Sequence, residues 1–577
     1  MKAPLLVALL MCCITSYAQE SLSPATIIAK KLLTNEKHSF VFNLNTGECV
    51  SLIVLQKGVD VVIDVISPSG QKLKTFDAPN DKGEEIVFIE ASQTGKYNIS
   101  IYPFFDELSE QQKTTWKNEN PGKSLDSLLI VLKEENQGNY EIQNFKILSA
   151  TECQKKITDE RIALQKTIQW VSQNAHPLKS VVADSGFEDL QWLKPVLKDV
   201  KYVGLGEATH GSREFFQMKH RMLEFLVKEM GFTVFAMEAS HQGCENINNY
   251  IMYGKGDAHT ALTSQGFWTW DTEEVIDMIE WMRKYNQTVP ENKKVRFFGY
   301  DIQIFAKSGA IDSVRNYLRK VDPLFSKQKD SLLRLINKLD YANTLYPLVK
   351  TVSKSLLDNV KKEISDLVVV FAMNKGDYIH VSSKEDYEKN FYRLVNLSQF
   401  MHPFDYRNRD YYMASNFKNF VQQNPGKKIM LWAHNSHLAK NSSSLGFHLN
   451  NAYGTLYYAM SFAFNKGSFQ TMEISGTDGK KSGLKEFTVT AAKENTLDWY
   501  LAQIKKDRFV INFRQKNLPD YVLNFIGSSL ETRGFGAGAN RDNYNESYRT
   551  VLLQKDFDAV IFINSTTRAR PTATGIR

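Results

Sequence analysis

The chain reads as an α/β protein, a mostly parallel sheet flanked by helices with a helical insertion, preceded by a small β-sandwich domain. Three observations predict this. Short β-branched and aromatic segments with alternating polarity, separated by turn residues, fill the stretch from about residue 20 to 149. From about residue 200 the pattern changes to short apolar runs between amphipathic helical segments, as in a parallel sheet covered on both faces. Between about 307 and 399 the chain is lysine-rich and helical, which suits an insertion rather than sheet. At 577 residues it is also too long for a single core.

The first residues, "MKAPLLVALLMCCITSYAQE", carry a lysine, an apolar run and the small-x-small pattern Ser16-Tyr17-Ala18. The run is too short to span a bilayer, so residues 1–18 read as a secretory signal peptide and the mature protein as periplasmic or extracellular. A lipoprotein would need small residues before Cys12 or Cys13, where Leu10 and Met11 stand. No other stretch is long and apolar enough to cross a membrane. Cys49, Cys153 and Cys244 remain after cleavage, an odd number that rules out a framework of disulfides and leaves room for one Cys49–Cys153 bridge. The net charge of +7 is mild and comes without a basic block, so nucleic acid finds no support as a partner.

Residues 19–150 form the expected β-sandwich, with strands at "HSFVFNL", "CVSLIVLQ", "DVVIDVISPSG", "EEIVFIEA", "GKYNISIYP", "DSLLIVLKE" and "NYEIQNFKIL". The segments "DVVIDVISPSGQKL" and "TGKYNISI" resemble bacterial pre-peptidase C-terminal domains, which are accessory sandwiches on secreted enzymes. A linker helix is expected over 151–175, carried by "TDERIALQKTIQWVSQNA", and the α/β domain over 176–577. In that domain "VKYVGLGE", "FTVFAMEAS", "KKVRFFGYDIQ", "KKIMLWAH", "DRFVINFR" and "FDAVIFINS" read as strands. "SREFFQMKHRMLEFLVKEMG", stopped by Gly231, reads as a helix, as do "CENINNYIMYG" and "TEEVIDMIEWMRKYN".

Polar residues gather where these strands end. Glu207 and His210 follow "YVGLG", Glu238 ends "TVFAM", Asp301 ends "RFFGY", and His434 and His437 follow "KIMLWA" on what reads as a loop. Open α/β sheets bind ligands outside the carboxyl ends of their strands, so the shared position favours function over isolated caps and core histidines. "GLGEATHG" is not a dinucleotide fingerprint, because Thr209 replaces the third glycine and Glu207 would oppose a pyrophosphate. Motifs of serine hydrolases and zincins are absent, and Cys244 reads as an idle buried thiol rather than an activated one. Histidine and glutamate remain. A histidine fixed by a carboxylate takes a proton from water, and other histidines can donate to a developing oxyanion. The same residues could hold a divalent metal, or the cleft could serve a non-catalytic protein that binds haem or polysaccharide. Trp268 and Trp270 suit an apolar substrate pocket as well as a hydrophobic staple under the next helix.

"GEATHGSREFFQMKHRMLEFLVKEMGFTVFAMEAS", "VRFFGYDIQ", "RNRDYYMASN" and "LWAHNSHLAK" together resemble the erythromycin esterase family, over roughly residues 176 to 570. The resemblance implies an α/β sheet with a helical insertion over a cleft. It implies hydrolysis of an ester or lactone of a small-molecule or glycan-type organic substrate by histidine-activated water, with no obligatory metal and no cofactor. His210 would be the base, Glu207 and Glu238 the carboxylates that orient it and the water, and His434 and His437 the pair facing substrate or oxyanion. Lys219 stands at the position of a basic active-site residue, where the macrolide-resistance members have arginine. Trp268 and Trp270 fall where the family has cleft-side loops, and together with Lys219 and Asp301 they are the residues expected to contact substrate. Arg409 and Asp410 match a family motif, as a supporting ion pair or as catalytic groups.

Overall fold

A computed structural model describes residues 20–572, apart from 25–26, 34–35, 78–81, 105–136, 304–309, 339–353, 402–405, 442, 476–479 and 543. The leader and the expected strand "DSLLIVLKE" lie outside the described residues. Two compact units emerge, Met1–Leu164 and Gln165–Arg577, and their division falls inside helix α1 (Ala150–Asn174). This helix starts earlier than its apolar stripe suggests. Ser149 and Glu152 form a capping box, with the Glu152 carboxylate accepting the Ser149 N–H at 2.9 Å and the Ser149 hydroxyl accepting the Glu152 N–H at 3.3 Å.

The first unit contains two sheets. One carries Glu20–Ser21, His38–Leu44, Gly95–Pro103, Val61–Ile66 and Lys72–Phe76 in that order; the other carries Ile28–Leu32, Gly138–Leu148, Cys49–Lys57 and Lys82–Glu90. Alternation drives the packing: Val50, Leu52 and Val54 point inward from one sheet to meet Phe40, Phe42 and Ile63 of the other. Cys49 opens a strand and Cys153 lies in the first turn of α1; they are disulfide-bonded, with Cα atoms 5.4 Å apart.

The second unit is built on strands β1 (Tyr202–Leu205), β2 (Val234–Ser240), β3 (Arg296–Asp301), β4 (Ile429–Trp432), β5 (Tyr457–Ser475), β6 (Lys480–Val489), β7 (Arg508–Asn512) and β8 (Ala559–Thr566). The order across the sheet is β7–β8–β5–β1–β4–β2–β3. Every neighbouring pair from β8 to β3 is parallel, while β7 joins β8 antiparallel and β6 folds back on β5. Strand β5, beside β1 at the centre, is absent from the sequence reading. Its Gly467, at φ 122°, allows a close pass of β8, since a Cβ there would stand 2.1 Å from the Thr566 carbonyl oxygen.

Both faces are covered. Helix α2 (Arg213–Met230) packs Phe215, Met222 and Leu226 on one face, and α5 (Tyr406–Gln423) packs Met413 and Phe417 on the other. The expected insertion is helical, with Ala310–Val321, Pro323–Lys338, Lys354–Met373, Lys375–Val381 and Lys384–Met401 closing on a core that includes Leu318, Ile364 and Phe371. Helix α3 (His241–Tyr253) blunts the exposed edge of β3: the Phe297 N–H donates to Asn248 Oδ1 at 3.0 Å and His241 Nδ1–H donates to the Gly299 carbonyl at 3.1 Å.

Two predictions follow from this architecture. The Cys49–Cys153 bridge closes a loop of 104 residues, so Cys153→Ser is expected to lower the stability of the β-unit by about 2–5 kcal/mol, read by chemical unfolding with and without reductant. Burial lowers the His241 pKa to about 4 although Glu245 pulls it up. A folded value below the unfolded 6.5 means that its contribution is whole above pH 6.5 and is lost as the pH falls towards 4. His241→Gln should therefore reduce the slope of stability in that window by up to about 1.4 kcal/mol per pH unit, and an unchanged slope would contradict the assignment.

Candidate active site

The parallel register gathers the strand ends into one layer. Leu205 and Met237 both pair with Trp432, so Glu207, Glu238 and His434 emerge together just past the sheet. Gly206 permits a close contact, because a Cβ there would fall 2.1 Å from Asn435 Oδ1. Asn435 ties three segments: its N–H donates to the Glu207 carbonyl at 2.9 Å, its side-chain amide donates to the Phe462 carbonyl at 2.8 Å, and its Oδ1 accepts the Phe462 N–H at 3.0 Å.

One centre surrounds Glu207. Its Oε1 lies 2.7 Å from His210 Nδ1, and its Oε2 accepts Lys219 Nζ at 2.5 Å and the Trp432 indole N–H at 2.8 Å. A carboxylate at Nδ1 holds the proton there and leaves the lone pair on Nε2. The His210 side chain keeps 11% exposure whereas Glu207 and Lys219 have none. Lys219 shares the inner face of α2 with Phe215 and Met222 and sits 4.1 Å from the Trp432 ring centroid. Burial pulls its pKa down to about 8, with Glu207 acting to raise it. Enclosed in this way, Lys219 has no access to a substrate, contrary to its expected contact role. It is the counter-ion of Glu207.

A second centre surrounds Glu238. Its Oε1 accepts Arg409 Nη2 at 2.8 Å and lies 3.2 Å from His437 Nε2, while its Oε2 accepts the His434 N–H at 2.9 Å. Arg409 also donates to both Asp301 oxygens, Nε at 3.2 Å and Nη2 at 2.6 Å. His437 Nδ1 lies 2.8 Å from Asp410 Oδ1, which also accepts the Leu445 N–H at 2.7 Å. Burial opposes ionisation of Glu238, yet His437, Arg409 and His210 hold its carboxyl well below the usual range. Burial likewise opposes the charge of His437, but Glu238 and Asp410 outweigh it and raise that pKa.

These contacts correct several expected roles. Glu238 spends its oxygens on Arg409, His437 and the His434 backbone rather than on His210. Asp301 is fully enclosed and bound to Arg409, not open to substrate. His437 has both ring nitrogens engaged, so it is not a free oxyanion donor. Arg409 and Asp410, left open between two roles, are the ion-pair partners that organise the layer. His434 and His437 sit not on a loop but at the N-cap and third residue of a one-turn helix, α6 (Asn435–Leu438).

His434 has a ring nitrogen to spare. Its Nδ1 accepts the Ser436 N–H at 3.3 Å and lies 2.8 Å from the Ser436 hydroxyl, which places the ring proton on Nε2. That Nε2 is buried without a hydrogen-bond partner among the described residues. Burial, reinforced by His210, His437 and Arg549, pushes its pKa well below 6.5, so the ring stays neutral. The His210 and His434 ring centroids are 5.1 Å apart. Trp270, 1% exposed, stands edge-on to His210 at 5.6 Å and donates its indole N–H to the Glu238 carbonyl at 3.2 Å. It is neither a pocket wall nor a staple but the floor beneath His210; Trp268 is half-buried nearby in sequence. Cys244 is buried, and burial raises its thiol pKa well above the ordinary value. Among the described residues no group of three or more His, Cys, Asp or Glu is arranged to hold a metal ion.

Known proteins share this arrangement of segments. A family model described as erythromycin esterase matches residues 227–566. Erythromycin esterase type II of Escherichia coli is 25% identical over 429 residues, which cover 68% of this chain and 96% of that protein. A Bacillus subtilis protein, YbfO, is 26% identical over 302 residues, 48% of this chain and 64% of its own length. Among solved structures, a Bacillus cereus protein superposes with a TM-score of 0.61 at 23% identity, covering 71% of this chain and 99% of that one. A mutant erythromycin esterase in its open conformation superposes with a TM-score of 0.53 at 16% identity, covering 67% and 96%. With the match extending over more than half its length, the chain belongs to the erythromycin esterase family.

Proposed function

We propose that this protein is an exported hydrolase that cleaves an ester or lactone by water, with His210 as general base. The observation that carries the reading is the 2.7 Å contact between Glu207 Oε1 and His210 Nδ1, which leaves Nε2 as the proton acceptor on a partly exposed ring. His210 Nε2 removes a proton from water as the oxygen attacks the acyl carbon, and Glu207 stabilises the imidazolium that results. The carbonyl oxygen becomes negative, and the His434 Nε2–H is the donor for it: buried, neutral, unpartnered and one ring away. Collapse of the tetrahedral intermediate expels the alcohol, which takes the proton back from His210. Glu238, Arg409 and His437 do not touch the reacting atoms in this scheme; they hold His434 in place through its backbone. Export is supported by the leader-like first residues and by the Cys49–Cys153 bridge, which an oxidising compartment preserves.

His210→Ala is expected to lower kcat on a responsive ester by about 10²–10⁴-fold and His434→Ala by about 10²–10³-fold, with circular dichroism unchanged. Full activity in His210→Ala would falsify the mechanism. Exhaustive dialysis against a chelator is expected to leave the rate intact; a rate that collapses and returns with added Zn²⁺ or Mn²⁺ would instead make the Glu/His set a metal site. A screen of macrolides, other lactones and simple acyl esters by mass spectrometry, scored for gain of water, identifies the responsive substrate.

A further inference from the structure

Past β8 the chain has neither helix nor strand, yet from Thr567 to Thr572 it is paired along its length. It makes two successive antiparallel bridges. In the first, Arg568 faces Ser212: the Arg213 N–H donates to the Thr567 carbonyl at 2.9 Å, and the Ala569 N–H donates to the Gly211 carbonyl at 2.9 Å. In the second, Pro571 faces Thr272: the Glu273 N–H donates to the Arg570 carbonyl at 2.9 Å, and the Thr572 N–H donates to the Asp271 carbonyl at 3.1 Å. Ser212 and Thr272 are the N-cap residues of α2 and of α4 (Glu273–Thr288). The first turn of each helix adds a carboxylate. Glu214 accepts the Thr567 N–H and hydroxyl, both at 2.7 Å, and Glu274 accepts the Arg570 N–H and Nε–H, both at 3.1 Å. The Thr572 hydroxyl donates to Asp271 Oδ1 at 2.5 Å. Ser212, Thr272, Ala569 and Thr572 are all buried, so water does not stand in for these bonds.

Each bridge lies beside a residue of the active centre. Gly211 follows His210 and Asp271 follows Trp270, and the two rings meet edge-on at 5.6 Å. Extended chain from Arg568 to Pro571 spans about 10 Å, so the segment is a strap of set length between the two loops. The hydrogen bond of His210 Nδ1 with Glu207 fixes one atom of the ring; the plane of the ring depends on where its loop and Trp270 stand. A base aimed wrongly by a fraction of an ångström loses rate steeply. We propose that Thr567–Thr572 is a positioning element for His210, which sets the gap to Trp270, and that Thr572 and Arg570 are the positioning residues securing it to Asp271 and α4. Neither touches a reacting atom. The effect on rate rests on the reading of His210 as the base, whereas the hold of the strap on the ring is independent of the reaction.

The test compares two double variants of the full-length protein. Thr572→Val with Arg570→Gln strips the side-chain ties of the strap and spares its backbone bonds; Thr572→Ser with Arg570→Lys keeps a hydroxyl and a cation. On a responsive ester the first should lower kcat about 10–10²-fold with KM unchanged, and the second should retain most of the rate, with the same circular dichroism in both. Carbethoxylation by diethyl pyrocarbonate, followed residue by residue in the mass spectrometer, needs no substrate. His210 should be labelled about threefold faster or more in the first variant and at the wild-type rate in the second. His437 should stay unlabelled in both, which separates release of the ring from general loosening. Unchanged labelling of His210 in the first variant overturns the hold of the strap. Faster labelling with unchanged kcat on a cleaved ester overturns the positioning role and leaves the hydrolase reading intact. If the wild type cleaves no ester, it is the hydrolase reading that fails, and labelling alone upholds or overturns the strap.

Discussion

The contact on which the site depends is the clamp of Arg409 on two carboxylates. Parallel strands β2 and β3 deliver Glu238 and Asp301 side by side at their ends, where neither is solvated. Two enclosed carboxylates cannot both stay ionised without a cation between them. Arg409 supplies it from α5, on the opposite side of the helical insertion in sequence, with donors to both. His437, whose pKa Glu238 and Asp410 raise, packs its Nε2 against the same Glu238 oxygen and is held from its other side by Asp410. Removing one member of such a set exposes the rest to an unbalanced buried charge, which is why its cost exceeds that of a surface pair.

The clamp reaches the His434–His210 pair through a single backbone bond. With Oε1 of Glu238 taken up by Arg409 and His437, Oε2 is left to accept the His434 N–H. That bond sets where α6 begins, and α6 in turn presents the His434 ring, whose tautomer Ser436 fixes. Glu207 does for β1 what Glu238 does for β2, but through its side-chain contact with His210. The two glutamates are therefore not a matched acid–base pair. One is the partner of an imidazole, and the other is the anchor of a turn.

Much of this was legible in the sequence, and the failures have physical reasons. Strand ends and the helix stop at Gly231 were readable because apolar runs and a left-handed glycine are local signals. The convergence of Glu207, His210, Glu238, His434 and His437 was readable because an open parallel sheet exposes one edge to ligands. What each residue does there was not, because side-chain partners come from segments far away in the chain: Arg409 lies 171 positions from Glu238. Lys219 showed a readable sign that was passed over, a lysine on the apolar stripe of α2, which marks a buried cation with an acidic partner rather than a surface contact. Strand β5 was not read; its interior Gly467 serves the close approach of β8. Trp432 gave no sign at all, since nothing in "KKIMLWAH" separates a core indole from one that donates to a buried carboxylate.

Three histidines share this layer, and their partners alone make them different. A carboxylate on Nδ1 stabilises positive charge, so His210 is suited to gaining a proton and losing it again. Carboxylates on both sides, Glu238 and Asp410, favour that charge against burial and Arg409, so His437 is suited to holding α6 rather than to turnover. An amide and a hydroxyl on Nδ1, in a buried setting beside other cations, disfavour charge altogether, so His434 is suited to donating a hydrogen bond without titrating. In the proposed mechanism a neutral donor is the better neighbour for His210, because a second imidazolium 5.1 Å away would oppose its protonation during attack. The burial that keeps His434 neutral is thus part of what allows His210 to accept a proton.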